Sequence, residues 1–374
     1  MIYKVPFVDL PTQYRRLEKE IVSVVRDVML RGDFVLRGDL LQFEEHMASF
    51  LGLKYVVGVG SGTDAIHLAL RAAGIGQGDE VITVGFTCTA AVAVIVHAGA
   101  TPVLVDVSED YNMNVNKVEK AITPKTRAIL PVHLNGRVCD MERMMDIASR
   151  HNLLVIEDAA QAIGAGFNGR KAGSFGQVGC FSVYPMKLFG ALGDGGFVAT
   201  DDEVLAERVS QLRDLGQCRE TGETLYFGFS SRLDNIQAAI LDVKLKYLPG
   251  FIERRREAAA LYHRLLSDLS YLKLPPPPDT EGHYYDVFQN YLVRTEQKDK
   301  LVAYLTECGI ETLTSWYLSR PLHYNEALKL SHFHLPNTEQ FARETVSLPL
   351  NAEISDEQVE YVAESIREFY MRQG

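Results

Sequence analysis

The sequence predicts an α/β protein: a large, mostly parallel sheet followed by a smaller α+β domain. Short apolar runs alternate with helical patterns through the first 200 residues, and continuous apolar strands are typical of parallel sheets covered on both faces. The later part changes to long helices. Because 374 residues are more than a single small hydrophobic core can accommodate, we expect two domains. We predict them over residues 1–248, including an N-terminal helical segment, and 249–374.

The predicted elements follow a regular order along the chain. The strand-like runs are YVVGV, DEVITV, TPVLVDV, TRAILPVHL and LLVIEDAA, and the helical patterns between them are TDAIHLALRAAG, TAAVAVIVHAG and CDMERMMDIASRHN. In the first helix, Ile66 and Leu70 share a face and Gly74 is placed to end it. Ligands of such sheets collect at the carboxyl ends of the strands, so residues that follow these runs are the functional candidates.

The later segments predict the smaller domain. EVLAERVSQLRDLG, LDNIQAAILDVKLKYL and FIERRREAAALYHRLLSDL are helical in pattern. The run DVFQNYLVRT and the helices KDKLVAYLTECG and SDEQVEYVAESIREFY follow a stiff PPPP segment.

Charge and cysteine content narrow the classes of function. The net charge of -11 argues against a surface for nucleic acid or anionic membranes. The five cysteines include no C-x-x-C pair, which argues against a disulfide framework or a structural zinc and fits a reducing cytoplasm. MIYKVPFVDL lacks the pattern of a signal peptide, and the window AAVAVIVHAGA is too short to span a bilayer. We therefore predict no metal, nucleic-acid or membrane partner.

The stretch GVGSGTDAIHLAL places small residues between a strand and a helix. The first N–H groups of a helix lack internal acceptors and face the positive end of its dipole, so they can bind a phosphate. Gly60 and Gly62 would let the anion approach, and Thr63 adds a hydroxyl. A tight turn capped by Ser61 or Thr63 explains the pattern equally well. The spacing does not fit a Walker nucleotide loop.

Two charged residues lie in apolar runs. Asp158 ends a strand-like run, where a carboxylate needs a cationic partner or serves as a helix cap. Gln161 follows it as a candidate site residue, and the alternative is an ordinary surface glutamine.

Lys187 is the only cation in CFSVYPMKLFGALGDGGFVAT. A partly desolvated lysine loses proton affinity and becomes a nucleophile, whereas most lysines are solvated surface groups. An anion seat, a carboxylate and a lysine, in this order, are three requirements of a pyridoxal phosphate site.

These stretches also carry a resemblance. The sequence is similar to the sugar aminotransferases of the DegT/DnrJ/EryC1/StrS family, a branch of fold-type I pyridoxal-phosphate enzymes, over nearly its whole length. The matching stretches are VPFVDLPTQY, GSGTDAIHLAL, ITPKTRAILPVHLNG, VIEDAAQAIGA, CFSVYPMKLFGALGDGG, SRLDNIQAAIL and SLPLNAEISDEQVEYV.

The resemblance implies a role for each candidate. Lys187 would hold the cofactor covalently and move protons as general base and acid, and Asp158 would face the ring nitrogen. Ser230, in GFSSRLD, matches a position that reaches the phosphate from the neighbouring subunit, which implies a homodimer with shared sites. The cofactor would alternate between pyridoxal and pyridoxamine phosphate. The implied cofactor-binding residues are Gly62, Thr63, Cys88, Asp158, Gln161, Ser182, Lys187 and Ser230.

Three stretches depart from the family pattern. Cys88, in GFTCTAA, stands where many relatives have an aromatic residue stacking on the ring, so Phe86 is a candidate to help cover it. Ser230 is shorter than the asparagine common in relatives. The stretch TSWYLSRPLH differs from the His-Tyr-Pro pattern of relatives, so no sugar contact is carried over to Trp316 or Tyr317.

The resemblance implies transfer of an amino group from an amino acid, L-glutamate, to a keto-sugar of a nucleoside diphosphate. KLFGALGDGG, which contains Asp194, resembles enzymes that aminate carbon 3, so we predict a 3-keto-6-deoxyhexose. A 4-keto substrate remains an alternative, as does a non-catalytic regulator that binds cofactor or sugar. Lysine at position 187 argues against the sugar dehydratases of the family, which carry histidine there.

Overall fold

The computed structural model describes residues 3–314 and 318–372, so that Trp316 and Tyr317 lie outside the described residues. In chain order, the helices and strands up to residue 212 are α1 (Leu10–Arg31), α2 (Gly38–Leu51), β1 (Tyr55–Val59), α3 (Gly62–Ala72), β2 (Glu80–Val84), α4 (Thr89–His97), β3 (Thr101–Val105), α5 (Val115–Ala121), β4 (Thr126–Ile129), α6 (Met141–Arg150), β5 (Leu154–Asp158), β6 (Gly166–Phe167), β7 (Arg170–Lys171), β8 (Val178–Ser182), β9 (Gly196–Thr200) and α7 (Glu203–Leu212). Strands and helices alternate from β1 to β5, as the sequence predicts, and five strands follow one another from β5 to β9.

The rest of the chain is mainly helical. Its elements are α8 (Asn235–Leu245), α9 (Leu248–Leu266), β10 (Tyr284–Tyr285), β11 (Tyr291–Arg294), α10 (Lys298–Glu307), α11 (Pro336–Glu344), β12 (Thr345–Leu348) and α12 (Asp356–Met371). Strand β12 pairs with β11 in an antiparallel two-stranded sheet.

Seven strands form the main sheet, in the order β1-β9-β8-β5-β4-β2-β3. Strand β9 runs antiparallel to β1 and to β8. The pairs β8–β5, β5–β4, β4–β2 and β2–β3 are parallel. This confirms the predicted mostly parallel sheet and brings the carboxyl ends of β5 and β8 to the same edge.

Strand β4 is shorter than its apolar run suggests. The run TRAILPVHL predicts a strand to Leu134, but β4 ends at Ile129. Pro131 follows closely, and a proline has no N–H for a sheet ladder.

The described residues form two large hydrophobic cores and a third, small cluster around Leu322 and Leu335. The larger core lies around the seven-stranded sheet, and a smaller one joins Val5 to residues of α9, α10, α12 and the two-stranded sheet. Helix α9 begins at Leu248, at the predicted domain boundary. Val287, Leu292 and Phe341 from the C-terminal part nevertheless pack into the larger core. The boundary between 248 and 249 therefore stays a prediction.

Two absences concern the described residues. None of their helices combines the length and the hydrophobicity that crossing a bilayer requires. All five cysteines lie in this part of the chain, and none of them forms a disulfide.

Candidate active site

The predicted site residues meet where β5, β8 and α3 end or begin. Asp158 is the last residue of β5 and pairs with Cys180 of β8. Ser182 is the last residue of β8. Gly62, the first residue of α3, lies so close that a Cβ added there would fall 2.5 Å from the Ser182 Cβ. The fold thus brings the predicted phosphate seat and the predicted carboxylate to one edge of the sheet.

The start of α3 keeps two free donors. Ser61 caps this helix, since its Oγ accepts the Asp64 N–H at 3.0 Å. Within the described residues, the N–H groups of Gly62 and Thr63 have no acceptor. The capped turn and the anion seat were alternative interpretations, and the geometry is compatible with both at once. Two N–H groups and the exposed Thr63 hydroxyl are available to an anion.

Asp158 lies buried at the base of the site, with 6% of its surface exposed. One carboxylate oxygen accepts the Ala160 N–H at 3.1 Å, and no helix follows that this residue could cap. Burial raises the pKa of Asp158, opposed by that N–H and by the positive charge of Lys187. The interpretation as a helix cap is therefore wrong, and the interpretation as a carboxylate with a cationic partner fits.

Lys187 is half-buried in a tight turn after β8. Its N–H donates to the Tyr184 carbonyl at 2.8 Å, and Gly190 packs against Pro185 so closely that a Cβ would fall 2.4 Å from the proline oxygen. Burial lowers the pKa of the Lys187 amine, and the Asp158 carboxylate opposes this effect. A lowered pKa leaves more of the amine neutral and nucleophilic at neutral pH.

A cavity opens in front of Lys187. Side chains from six separate stretches of the chain line it, and Gln161 and Cys88 are among them, together with the lysine. The lining residues are Phe7, Cys88, Gln161, Tyr184, Met186, Lys187, Gln289, Asn290 and Leu313.

Two neighbours contact the side-chain oxygen of Gln161. Its Oε1 accepts the Asn135 N–H at 2.8 Å and lies 3.3 Å from Asn290 Nδ2. Asn290 Nδ2 also donates to Asn135 Oδ1 at 3.2 Å. Because both contacts fall on Oε1, the side-chain amide has a fixed orientation. Gln161 is therefore a site residue rather than a surface glutamine.

Cys88 and Phe86 differ in location. Cys88 precedes α4 and lines the cavity with its exposed side chain. Phe86 is fully buried, stacks on Tyr111 at 5.8 Å and meets Phe341 edge-on at 6.2 Å. Phe86 belongs to the core and does not line the cavity, so the expectation that it helps to cover a ring there has no support.

The neighbouring serines 230 and 231 face different surroundings. Ser231 is buried and joins the start of α3, because its Oγ accepts the Gly60 N–H at 3.1 Å and donates to Asp64 Oδ2 at 2.8 Å. Ser230 is exposed and accepts a hydrogen bond from Arg232 at 2.8 Å. Within its own chain, Ser230 does not touch the phosphate seat.

His133 is a structural residue. Its ring is fully buried, and Nδ1 accepts the Cys139 N–H at 3.2 Å. Nε2 therefore carries the proton and donates to Glu157 Oε2 at 2.8 Å. The backbone N–H of His133 donates to the Asp158 carbonyl at 3.0 Å, so it helps to fix the end of β5.

Gln289 and Asn290 were not predicted from the sequence as site residues. Both are buried polar residues that come from the segment before β11 and reach the site. The available signal was a pair of amides inside the otherwise apolar run VFQNYLV.

Comparison with known proteins gives one family over nearly the whole chain. The model of the DegT/DnrJ/EryC1/StrS aminotransferase family matches residues 15–367. The "Pleiotropic regulatory protein" of Geobacillus stearothermophilus is 43% identical over 370 residues, 98% of each chain. The dTDP-3-amino-3,6-dideoxy-alpha-D-galactopyranose transaminase of Aneurinibacillus thermoaerophilus is 42% identical over 367 residues, 98% of this chain and 99% of that one. The structure of S. venezuelae DesV in complex with a ketimine intermediate is 40% identical, with a TM-score of 0.93 over 98% of each chain.

Proposed function

Because this chain belongs to the DegT/DnrJ/EryC1/StrS aminotransferase family, a family of pyridoxal-phosphate enzymes, we propose that it aminates a nucleotide-linked keto-sugar. The fold is that of the family's solved members and the chain is an aminotransferase. The amino donor that we propose is L-glutamate, and the acceptor is a 3-keto-6-deoxyhexose of a nucleoside diphosphate.

One arrangement carries the proposal for the site. A half-buried lysine and a buried carboxylate lie near the N-terminus of α3, where two N–H groups have no acceptor in the described part of the chain. A phosphate fits these donors, and the absence of a Cβ at Gly62 leaves the space that Ser182 occupies. The residues present thus fit pyridoxal phosphate, which supplies an aldehyde and an electron-accepting ring.

Each side chain has a proposed task. Gly62, Thr63 and Ser182 bind the phosphate, while Gln161 orients the ring hydroxyl. The Asp158 carboxylate keeps a proton on the ring nitrogen. Cys88 lies beside the ring. Lys187 would bind the aldehyde covalently and, once released, would move a proton between the substrate carbon that carries the amine and the cofactor carbon.

The position of amination rests on the relatives. The Aneurinibacillus relative is named for an amino group at carbon 3, and the stretch that contains Asp194 also resembles such enzymes. The test offers 3-keto and 4-keto nucleotide sugars in parallel to the pyridoxamine form and locates the nitrogen by NMR. We expect a product aminated at carbon 3. Amination at carbon 4 alone would overturn this position and leave the aminotransferase intact.

A regulatory role is the second candidate. It is favoured by the name of the Geobacillus relative, a pleiotropic regulatory protein. A half-reaction separates the two. An aminotransferase loses the visible absorbance of the bound cofactor when glutamate is added, whereas a binding protein keeps it.

We also propose a homodimer with shared sites. The segment before Ser230 exposes large apolar side chains, with Phe227 96% and Leu225 46% exposed. Contiguous exposed apolar residues mark an interaction surface, and in the dimer Ser230 would reach the partner's phosphate seat. The unpaired cysteines support a reducing, cytoplasmic location.

Mixing two inactive variants tests the dimer. Lys187→Ala lacks the amine, and Ser230→Asp puts a negative charge beside the partner's phosphate. A hybrid has one intact site only if Ser230 acts in the partner. Equal mixing should then restore about a quarter of wild-type activity, since half of the dimers are hybrids with one working site of two. No recovery after verified subunit exchange would contradict the shared site.

A further inference from the structure

Gln289 contacts the peptide groups on both sides of Lys187. Its Oε1 accepts the Leu188 N–H at 2.6 Å, and its Nε2 donates to the Met186 carbonyl at 3.2 Å. The atom that faces a backbone N–H must be the oxygen, so the orientation of this amide is fixed by its partners. One side chain therefore restrains the main chain immediately before and immediately after the reactive lysine.

The backbone of Gln289 is itself immobilised. Its N–H donates to the Asn135 carbonyl at 2.9 Å, and its carbonyl accepts from the Arg255 guanidinium at 3.1 Å. The same nitrogen of Arg255 also donates to Phe288 and to Leu350, at 3.0 and 2.9 Å. Arg255 is 3% exposed, so these contacts are shielded from water.

A close backbone contact adds to this restraint. Gly136 has a φ of 89°, and a Cβ there would fall 2.9 Å from the Gln289 nitrogen. The segment that carries Gln289 thus lies directly on the turn that carries Asn135. Asn135 and Asn290 in turn hold Gln161. Gln289 and its neighbour Asn290 therefore hold both the Lys187 turn and the Gln161 amide.

We infer that Gln289 is a positioning residue: it holds the Met186–Leu188 main chain so that the Lys187 amine meets the reacting carbon. The inference rests on the proposed role of Lys187. A proton is transferred efficiently only when donor and acceptor are well placed, and a displacement of about 1 Å can cost on the order of a hundredfold in rate. Gln289 acts through Lys187 and is not itself a catalytic residue.

The test compares Gln289→Leu with a matched control. Gln177 also uses its Oε1 to accept a backbone N–H, from Val155 at 2.7 Å. Val155 lies near the start of β5, whereas Asp158 at the other end of the strand faces the site. Gln177→Leu therefore removes the same kind of hydrogen bond away from Lys187.

The first measurement needs no cofactor. Hydrogen exchange of the cofactor-free protein should show loss of protection at Leu188 in Gln289→Leu and at Val155 in Gln177→Leu. The second measurement is the single-turnover rate of the holoenzyme with saturating L-glutamate. We expect Gln289→Leu to be about 10- to 100-fold slower, with an apparent glutamate affinity within about threefold of wild type. Gln177→Leu should keep the wild-type rate.

Several outcomes would overturn the inference. They are an unchanged rate in Gln289→Leu, unchanged protection at Leu188, or equal slowing in Gln177→Leu. If Gln289→Leu does not fold, Gln289→Asn replaces it, because its side chain is too short to reach both partners; a wild-type rate in that variant would also overturn it. Failure of the proposed function has a separate signature, since borohydride would then link the wild-type cofactor to a lysine other than Lys187.

Discussion

Asp106 and Asp158 both lie at the carboxyl end of a strand of the main sheet but differ in what surrounds them. Asp106 directly follows β3 and Asp158 ends β5, and the two are 7% and 6% exposed. The Asp106 carboxylate accepts four hydrogen bonds: one from the Val107 N–H, one from the Asn337 N–H and two from Thr338. These bonds connect the end of β3 to the start of α11. They occupy the full hydrogen-bonding capacity of this carboxylate, which is about four bonds.

The Asp158 carboxylate has capacity left. In the described part of the chain it accepts a single hydrogen bond, from Ala160, although a carboxylate can accept about four. The remaining capacity lies near the positive charge of Lys187. Both residues are buried aspartates at the carboxyl end of a strand of the main sheet, although β3 is an edge strand and β5 an interior one. The unfilled hydrogen-bonding capacity is what separates a functional carboxylate from a structural one.

The largest expected effect comes from removing the amine near Asp158. Lys187→Arg keeps a positive charge but cannot bind the cofactor covalently, so turnover should fall by at least about 10³-fold. The visible absorbance of the lysine–cofactor linkage should disappear as well. Lys171→Arg is the control, because Lys171 is also partly buried with a lowered pKa but donates to the Phe50 carbonyl outside the site. Turnover retained in Lys187→Arg would mean that another lysine does the chemistry.

Asp158→Asn and Asp106→Asn test the comparison directly. A neutral amide cannot keep the ring nitrogen protonated, so Asp158→Asn should reduce the rate on the order of a hundredfold or more while the covalent linkage remains. Asp106→Asn should keep a wild-type rate per folded molecule. The measurement is single-turnover kinetics on holoenzyme quantified by its absorbance. A full rate in Asp158→Asn would make this carboxylate structural too.

In stability we expect the opposite ranking of the two variants: Asp158→Asn, the slower enzyme, should be the more stable protein. Burial raises the pKa of Asp158, so the folded protein holds this proton at a pH where the unfolded chain has lost it. The ionised carboxylate therefore destabilises the cofactor-free fold, and stability falls as the pH rises from the usual carboxyl range through the raised pKa. Cofactor-free Asp158→Asn should be at least as stable as wild type and should lack this pH dependence.

Asp106→Asn should instead lose about 1–3 kcal/mol of unfolding free energy, because an amide accepts fewer and weaker bonds than a carboxylate. Denaturant unfolding of the cofactor-free proteins measures both variants. Equal stability losses in Asp106→Asn and Asp158→Asn would remove the distinction that the structure draws.

The sequence identified the parts of the site that carry their own local signal. Asp158 and Lys187 are charged groups in apolar runs, so each could be found without a partner. Gln289 and Asn290 could not, because neutral amides in a short run are common and the partner of Gln289 lies 101 residues away. Ser231 was likewise hidden beside Ser230, since only the folded chain brings it against the start of α3.

The strands can be divided in the same way, into those with a local sequence signal and those defined by a distant partner. Strand β1 covers Tyr55–Val59 as predicted from five consecutive apolar or small residues. Strand β12 was not predicted, because four residues before a proline carry little periodicity. Its assignment depends on pairing with β11 across the chain.

The smallest expected effect concerns Cys88, whose exposed side chain lines the cavity. This residue precedes α4 without a side-chain capping bond and is exposed in the cavity, so replacing its side chain removes no cap from the helix. Cys88→Phe adds a ring beside the position that the cofactor ring would take. Stacking contributes about 0.5–1.5 kcal/mol, which corresponds to roughly two- to tenfold tighter binding of pyridoxal phosphate by the cofactor-free protein. Fluorescence titration measures this against Cys88→Ala, which removes the thiol without adding a ring and should bind no tighter than wild type. If Cys88→Phe binds no tighter than Cys88→Ala, the cavity face at Cys88 is not the one that meets the ring.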